Sequence, residues 1–480
     1  MTSTINNLRR ILLCGVGPVP LGNPDRLYAP GLRVWGFGRA LLEAGCRVDL
    51  LEVEFGKAVS GGEGRLHELS LDASGECGAL EVFSRPRRID ADHPVRLVKR
   101  CLAEAAYDAV VSTTDVMNDA CARVVGDKPL WCDFFGHPMA ERQSMAYALE
   151  SDEGLADQWD YILAPLLRAD HLSGCSQAQR FAILGEMGAC GRLNRWTDGI
   201  DLVSSLPPAV LFPKFEKTGS AFRGKDVPDD AFVVLWTGGY NTWADPLTLA
   251  DGLLRAMERE PRLRFVSTGG AIAGHDNRTF ERFQERIQAS HFVDRFHFSG
   301  WVETRDVPDY YLEADVGINC ERCKLEGELG TRNRVIDWIC AGLPVVSTNV
   351  CELTQDLASR KLIDTFPAGD AEAMADALVR LASSPIDEKG SRTEKARLYL
   401  LENYLPGRLF EPMMNWARSP VRAPDVQRET PRDVPFAVPN NPLAHRRFRE
   451  WRRSLERASG AIVPVRRPGI LGRLFRKLRG

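Results

Sequence analysis

Glu326-Gly-Glu-Leu-Gly-Thr-Arg-Asn-Arg-Val-Ile-Asp-Trp-Ile-Cys-Ala-Gly-Leu-Pro-Val-Val-Ser-Thr348 decides how this chain reads. It holds an acidic, glycine-containing loop, a short helix, a glycine stop and the start of a buried strand. Val335, Ile336 and Ile339 share one helical face. Gly342 stands where a helix ends in a left-handed cap, and Pro344 forbids its continuation. Val345 and Val346 then open a β-branched run suited to a parallel strand. The loop presents backbone N–H groups at a helix N-terminus, with Arg332 and Arg334 beside them, which makes an anion site. Glu326, Glu328 and Asp337 flank it and can accept hydrogen bonds from hydroxyls. Phosphate-binding donors next to hydroxyl-binding acceptors are what a nucleotide-sugar requires.

The rest of the chain sets bounds on this site. Its 480 residues leave room for two or three domains with their own cores. A hydrophobic share of 44% with 26% charged residues is that of a globular chain rather than a disordered one. The net charge of -3 gives no overall pull towards nucleic acid, and none is expected as a partner. Twelve cysteines without a regular framework point to reduced thiols and a cytoplasmic setting. No apolar run is long enough to span a bilayer, and the N-terminus lacks a signal-peptide core.

Upstream, Ile11 to Cys14 reads as a buried strand entering Gly15-Val-Gly-Pro18. A helix from about Leu32 to Ala44 and a strand at Arg47–Val53 complete a β-α-β opening of the doubly wound kind. Gly15 and Gly17 lack the full dinucleotide fingerprint, since Pro18 and Pro20 follow and the helix begins well beyond. A tight turn facing an interdomain cleft fits better. Residues 56–95 are polar and glycine-rich and give no clear element. Helices and strands then alternate to Pro129–Pro138, a strand running into a loop. His137 lies past that strand's C-terminal end, where open α/β sheets place ligands; the plain alternative is a loop histidine bonded to backbone. Leu202 to Pro213 suits a connector. A second β-α-β series starts at Ala231, with strands at Phe232–Trp236, Leu263–Ser267, Phe296–Ser299 and Ala314–Asn319 delivering the chain to the opening stretch.

This order resembles the GT-B fold of retaining glycosyltransferases, in particular family 4, over about residues 8–417 and most closely over 230–350. The carrying residues are Phe232 to Gly239, Gly269-Gly270, Phe298 to Glu303, Tyr310 to Asp315 and Asp337 to Thr348. The resemblance implies two Rossmann-like doubly wound domains facing a cleft. It divides the chain into an acceptor-side domain (1–205), a nucleotide-sugar domain (206–405) and a helix crossing back (406–418). In the family an E-x7-E motif grips the donor. Asp337 stands at its second acid, which implies a ribose contact; the first falls on Leu329, leaving Glu328 or Glu326 to hold the sugar. The family's basic pair after the first strand of the second domain is missing from Gly238–Asp245. Arg332 and Arg334 are the replacements, with Lys324 a further candidate; the competing reading pairs the two arginines with Glu328 and Asp337 at the surface. His137 is the implied orienting residue near sugar and acceptor. Gly17, Gly238, Gly239, Leu329, Gly330 and Thr331 would line the phosphates and sugar, and Trp301 and Val302 the base pocket.

The implied reaction moves a hexosyl or other glycosyl group from a nucleotide-diphosphate sugar to a glycan or lipid-linked acceptor with retention, with His137, Glu328 and Arg332 in the catalytic roles. No cofactor and no metal are expected. Cys320-Glu-Arg-Cys323 is only half of a zinc site, and a structural zinc wants four ligands. The rivals are a catalytically inactive GT-B-like scaffold at the membrane and a nucleotide-sugar epimerase. Beyond a Pro-rich linker at 419–442, residues 443–480 hold twelve Arg or Lys against two Glu, and Ile470, Leu471, Leu474, Phe475 and Leu478 fall on one helical face. That is the pattern of a helix lying in an anionic membrane surface. It suggests a peripheral place on the inner face of the cell membrane, for cell-surface polysaccharide synthesis.

Overall fold

The computed structural model describes residues 8–22, 24–55, 62–72, 81–83, 86–89, 93–272 and 275–427. The basic segment 443–480 and most of the stretch read as a linker lie outside them.

The first unit runs β1 (Arg10–Val16), α1 (Ala29–Glu43), β2 (Arg47–Phe55), β3 (Gly62–Asp72), β4 (Glu81–Phe83), β5 (Pro86–Ile89), α2 (Pro94–Glu104), β6 (Ala109–Thr113), α3 (Asp115–Val124), β7 (Leu130–Phe134), α4 (Pro138–Leu149), α5 (Leu155–Arg168), β8 (His171–Gly174), α6 (Gln177–Ala189) and β9 (Val203–Ser205). Its sheet has the order β4-β3-β2-β1-β6-β7-β8-β9, with β5 also on β3. Along that order β2, β1, β6, β7, β8 and β9 are mutually parallel, and the central β6 and β7 are buried along their whole length, as a sheet covered on both faces requires. The stretch 56–95, unassigned from sequence, supplies an antiparallel edge: β3 pairs with β2 from Val48↔Leu69 to Phe55↔Gly62.

The second unit runs β10 (Phe232–Trp236), α7 (Pro246–Arg259), β11 (Leu263–Thr268), α8 (Arg278–Gln288), β12 (Phe296–Gly300), α9 (Val307–Glu313), β13 (Val316–Asn319), α10 (Leu325–Leu329), α11 (Asn333–Cys340), β14 (Val345–Thr348), α12 (Glu352–Ser359), β15 (Asp364–Phe366), α13 (Ala371–Ser383) and α14 (Ile386–Asn403). Its parallel sheet has the order β12-β11-β10-β13-β14-β15. The order reverses between β10 and β13, and the loops leaving those two strands open into a crevice, the place where such sheets take ligands.

Two further helices, α15 (Pro406–Leu409) and α16 (Glu411–Arg418), return to the first unit. Phe410 meets Phe37 edge to face at 4.8 Å, and Trp416 meets Trp131 at 5.6 Å. Phe410, Met413, Met414 and Ala417 are buried with α1 and the first sheet. Residues 419–427, expected as linker, are docked as well. Ala423 N–H donates to Asp170 at 2.8 Å, and Asp425 of α17 (Pro424–Gln427) pairs with a buried Arg192. Arg192 also donates to the carbonyls of Leu166 and Ala169, at 2.9 and 3.0 Å. A guanidinium this deeply enclosed requires a carboxylate, and among the described residues Asp425 supplies it.

Asp425→Ala should therefore destabilise the fold by about 3–5 kcal/mol, because it strands a buried cation. Urea unfolding followed by circular dichroism measures this. A change below about 1 kcal/mol would show that the segment is not integral.

Candidate functional site

Between the two units lies a cavity of about 710 Å³. The second unit contributes the loop after β10 (Thr237, Gly238, Gly239), the end of β11, the Trp301-Val302 turn and the segment from Gly330 to Asp337. The first unit contributes residues 26–30 before and within α1, Phe135, Gly136 and Glu141.

Two glycine turns form the floor. Gly238 has φ +85° and Gly269 also φ +85°, and a Cβ on Gly269 would collide with the Gly238 carbonyl. Only glycine fits both the left-handed backbone and this approach. At one end Trp301 donates from Nε1 to the Ala271 carbonyl at 3.1 Å. The Arg26 guanidinium lies 5.6 Å from the Trp301 ring centre, while Thr304 N–H donates to the Asp25 carbonyl at 2.8 Å. The strand-to-helix loop of the first unit thus reaches across onto the second at this end.

The other wall is the stretch quoted at the outset, and here the structure revises the sequence reading. Residues 325–329 are helical, not a loop. Residues two apart on a helix point about 200° from one another, so Glu326 and Glu328 face opposite ways. Glu326 is buried at the cavity, whereas Glu328 is exposed, with the Cys323 thiol at 3.8 Å as its side-chain partner among the described residues. Glu326, not Glu328, is among the residues that line the cavity. Leu329 turns inward, and its carbonyl accepts from Ser176 Oγ of the first unit at 2.7 Å.

Arg332 is committed elsewhere than to phosphate. Its guanidinium is buried between Glu321 and Glu326, with Nη2 2.8 Å from Glu326 Oε2 and Nε bonded to Glu321. The surface pairing with Glu328 and Asp337 does not occur either. Glu321 escaped the sequence reading, although an acid immediately past a strand at the sheet's reversal was a usable signal. Arg334 remains as the uncompensated cation of this segment. It stacks 4.4 Å over the Trp236 ring and donates from Nη2 to the Gly239 carbonyl at 3.3 Å, with no carboxylate in salt-bridge range among the described residues. Burial lowers its pKa to about 10, partly offset by the Glu321 charge, so it stays protonated at neutral pH.

Polar atoms without partners gather beside it. Thr331 Oγ1, Asn333 Oδ1 and Arg334 Nη1 are enclosed and unbonded among the described residues, and α11 has no side-chain N-cap. Leaving such groups unpaired costs about 1–3 kcal/mol each, so a ligand that satisfies them is favoured. Asp337 lines the cavity one turn further on, where burial raises its pKa to about 7.

Two first-unit residues are not brought here. Gly17 packs against Glu52, where a Cβ would clash with that carboxylate, and its N–H donates to the Val53 carbonyl at 3.0 Å. His137 caps α4: Nδ1 accepts from Ala140 N–H at 3.3 Å, and Nε2 lies 3.4 Å from Glu186. Its neighbours Phe135 and Gly136 line the cavity in its place. The cysteines also part company, Cys320 buried and Cys323 exposed. A titratable group that sequence reasoning missed is Glu141, in the first turn of α4, whose pKa rises to about 8 through burial and then the charges of Glu326 and Asp115.

The two facing Rossmann-like units have the GT-B architecture. Residues 231–384, from β10 through α13, match the family profile Glycosyl transferases group 1. YtcC of Bacillus subtilis (strain 168), assigned as a glycosyltransferase, is 25% identical over 151 residues, 32% of this chain and 36% of that protein. The match thus spans about a third of that relative's length. Among solved structures, sucrose-phosphate synthase of Thermosynechococcus elongatus has a TM-score of 0.59 at 17% identity, covering 85% of this chain and 98% of that one. The UDP-forming trehalose-phosphate synthase of Burkholderia vietnamiensis has a TM-score of 0.57 at 11% identity, covering 86% and 99%. HepE of Anabaena, solved with UDP and glucose, has 0.50 at 13%, covering 85% and 98%. The structures speak to fold, and the profile match to a glycosyltransferase domain in the second unit.

The raised pKa of Asp337 has a consequence for stability. Its folded value lies above the usual 3.8, so its contribution is full at low pH and is lost as pH rises towards about 7. Asp337→Asn should flatten the stability profile between pH 4 and 7 and add about 1–2 kcal/mol at pH 8. Denaturant melts across that range check it; parallel profiles for the two proteins would contradict the buried-acid account.

Proposed function

We propose that this protein transfers a glycosyl group from a nucleotide-diphosphate sugar to a hydroxyl of a glycan or lipid-linked acceptor, with retention of configuration. The observation that carries the reading is the set of unpaired polar atoms at Thr331, Asn333 and Arg334, with Asp337 beside them at the same cavity wall. A diphosphate would take the Arg334 guanidinium and the first-turn N–H groups of α11. The ribose diol would donate to Asp337, and the base would sit towards Trp301 and Val302. Glu326, already oriented by Arg332, would hold sugar hydroxyls. As the bond to the anomeric carbon breaks, negative charge grows on the departing phosphate oxygen, and a preorganised guanidinium there lowers the barrier. Arg332 acts at one remove, by fixing Glu326. HepE was solved with UDP and glucose, so UDP-sugars are the first donors to test.

The test is calorimetric titration with UDP, GDP, ADP and dTDP, followed by nucleotide release from the matching sugar donors. One of the four should bind. Arg334→Ala should weaken that binding at least tenfold, as expected for a charge-assisted contact of about 1.5–3 kcal/mol. Asp337→Ala should weaken nucleoside diphosphates but not inorganic pyrophosphate. No binding by any of the four would overturn the reading. Sugar isomers formed without acceptor would point to an epimerase, and binding without turnover to a scaffold.

We further propose that residues 443–480 seat the enzyme on an anionic bilayer, on the strength of their many Arg and Lys and the helical spacing of Ile470, Leu471, Leu474, Phe475 and Leu478 in the sequence. Removing them should abolish sedimentation with phosphatidylserine vesicles while leaving nucleotide affinity unchanged. Retained sedimentation would refute the membrane role.

A further inference from the structure

Glu141 has no role in the donor site, yet its surroundings are built for it. It projects from the first turn of α4 into the cavity, on the wall that belongs to the first unit. Gly136, at φ +85°, lies directly beneath, and a Cβ there would overlap the Glu141 carboxyl. That carboxyl makes no hydrogen bond or ion pair among the described residues. The charged groups acting on it are Glu326 of α10, Asp115 at the start of α3, and Arg332. Arg332 is already shared by two carboxylates, so the field on this side of the cavity is negative. A phosphate or carboxylate placed here would meet repulsion, while a neutral polyol would find hydrogen-bonding groups on both walls.

We propose that Glu141 holds a hydroxyl of the acceptor opposite Glu326, and that the acceptor's reacting end is therefore a neutral sugar rather than a phosphorylated or acidic one. This deepens the transferase reading and rests on it. With its pKa raised to about 8 by burial, the protonated carboxyl donates a hydrogen bond to an acceptor hydroxyl oxygen at neutral pH. Above that pH it becomes an anion and strengthens the discrimination against acidic sugars.

The test uses the full chain loaded with whichever nucleoside diphosphate binds. Saturation-transfer NMR then compares glucose, galactose and N-acetylglucosamine with glucose 6-phosphate and glucuronate. At least one neutral sugar should bind, and both acidic ones should bind at least tenfold more weakly. Glu141→Ala should weaken the neutral sugar fivefold or more with nucleotide affinity unchanged. Glu141→Gln, isosteric and neutral, should keep neutral-sugar binding but lose the sharper rejection of glucuronate between pH 7 and 9. Glu141→Lys should admit glucose 6-phosphate. Nucleotide binding with no neutral sugar bound, with glucose 6-phosphate preferred, or with Glu141→Ala indistinguishable from wild type overturns this inference alone. Failure to bind any nucleoside diphosphate removes both readings.

Discussion

The buried Arg332 guanidinium, held by Glu321 from the end of β13 and Glu326 from α10, is the interaction on which the second unit's ligand wall depends. Enclosing three charges is costly unless each is met by good geometry, and removing one partner strands the others. The cluster therefore fixes the path from α10 to α11 within narrow limits. It also divides labour between two arginines that look equivalent in sequence. Arg332 is consumed by the protein, and Arg334, two residues on, keeps an Nη1 without a partner among the described residues. The negative Glu321 additionally favours the protonated state of Arg334 against the effect of burial. The scaffold thus keeps a cation available in a semi-enclosed site without cancelling it.

Much of the fold was legible in sequence because its signals are local. Phe232–Trp236 is a continuous apolar run and becomes a fully buried central strand. Gly342, at φ +80°, ends α11 where expected, and Val335, Ile336 and Ile339 are all buried. The edge strands β3 to β5 were not legible, since antiparallel edges carry polar residues that share the composition of loops. Helix α4 was missed for a related reason: only Ala140 and Ser144 along it are buried, so no apolar stripe marks it.

The candidate site was legible in part, and the failures have physical causes. Asp337 falls at the cavity because the helical period and the glycine stop fix it. Glu326 and Glu328 could not be separated without knowing that 325–329 is helical, since a loop has no faces. The role of Arg332 depends on Glu321, eleven residues away and across a strand end, a contact that no local pattern encodes. His137 lies near the end of β7 as read, but position on the chain does not set the direction of a ring. Its Nδ1 meets the open N-terminus of α4, where a cap stabilises the helix by about 1 kcal/mol, and this turns the side chain away from the cleft.

One hydroxyl links the two halves of the site. Ser176 Oγ accepts from Gln179 N–H at 3.0 Å as the N-cap of α6, and it donates to the Leu329 carbonyl at 2.7 Å. A hydroxyl can do both at once, because it carries one donor and two acceptor positions. Leu329 immediately precedes the segment Gly330 to Arg334 that carries the unpaired polar atoms. The first unit therefore holds, through the cap of its own helix, the backbone that presents those atoms. A relative shift of the two units would break this bond and move Glu141 relative to Glu326 together. The unpaired polar atoms of the second unit and Glu141 of the first are coupled by geometry, so the facing of the two units sets the width of the gap between them.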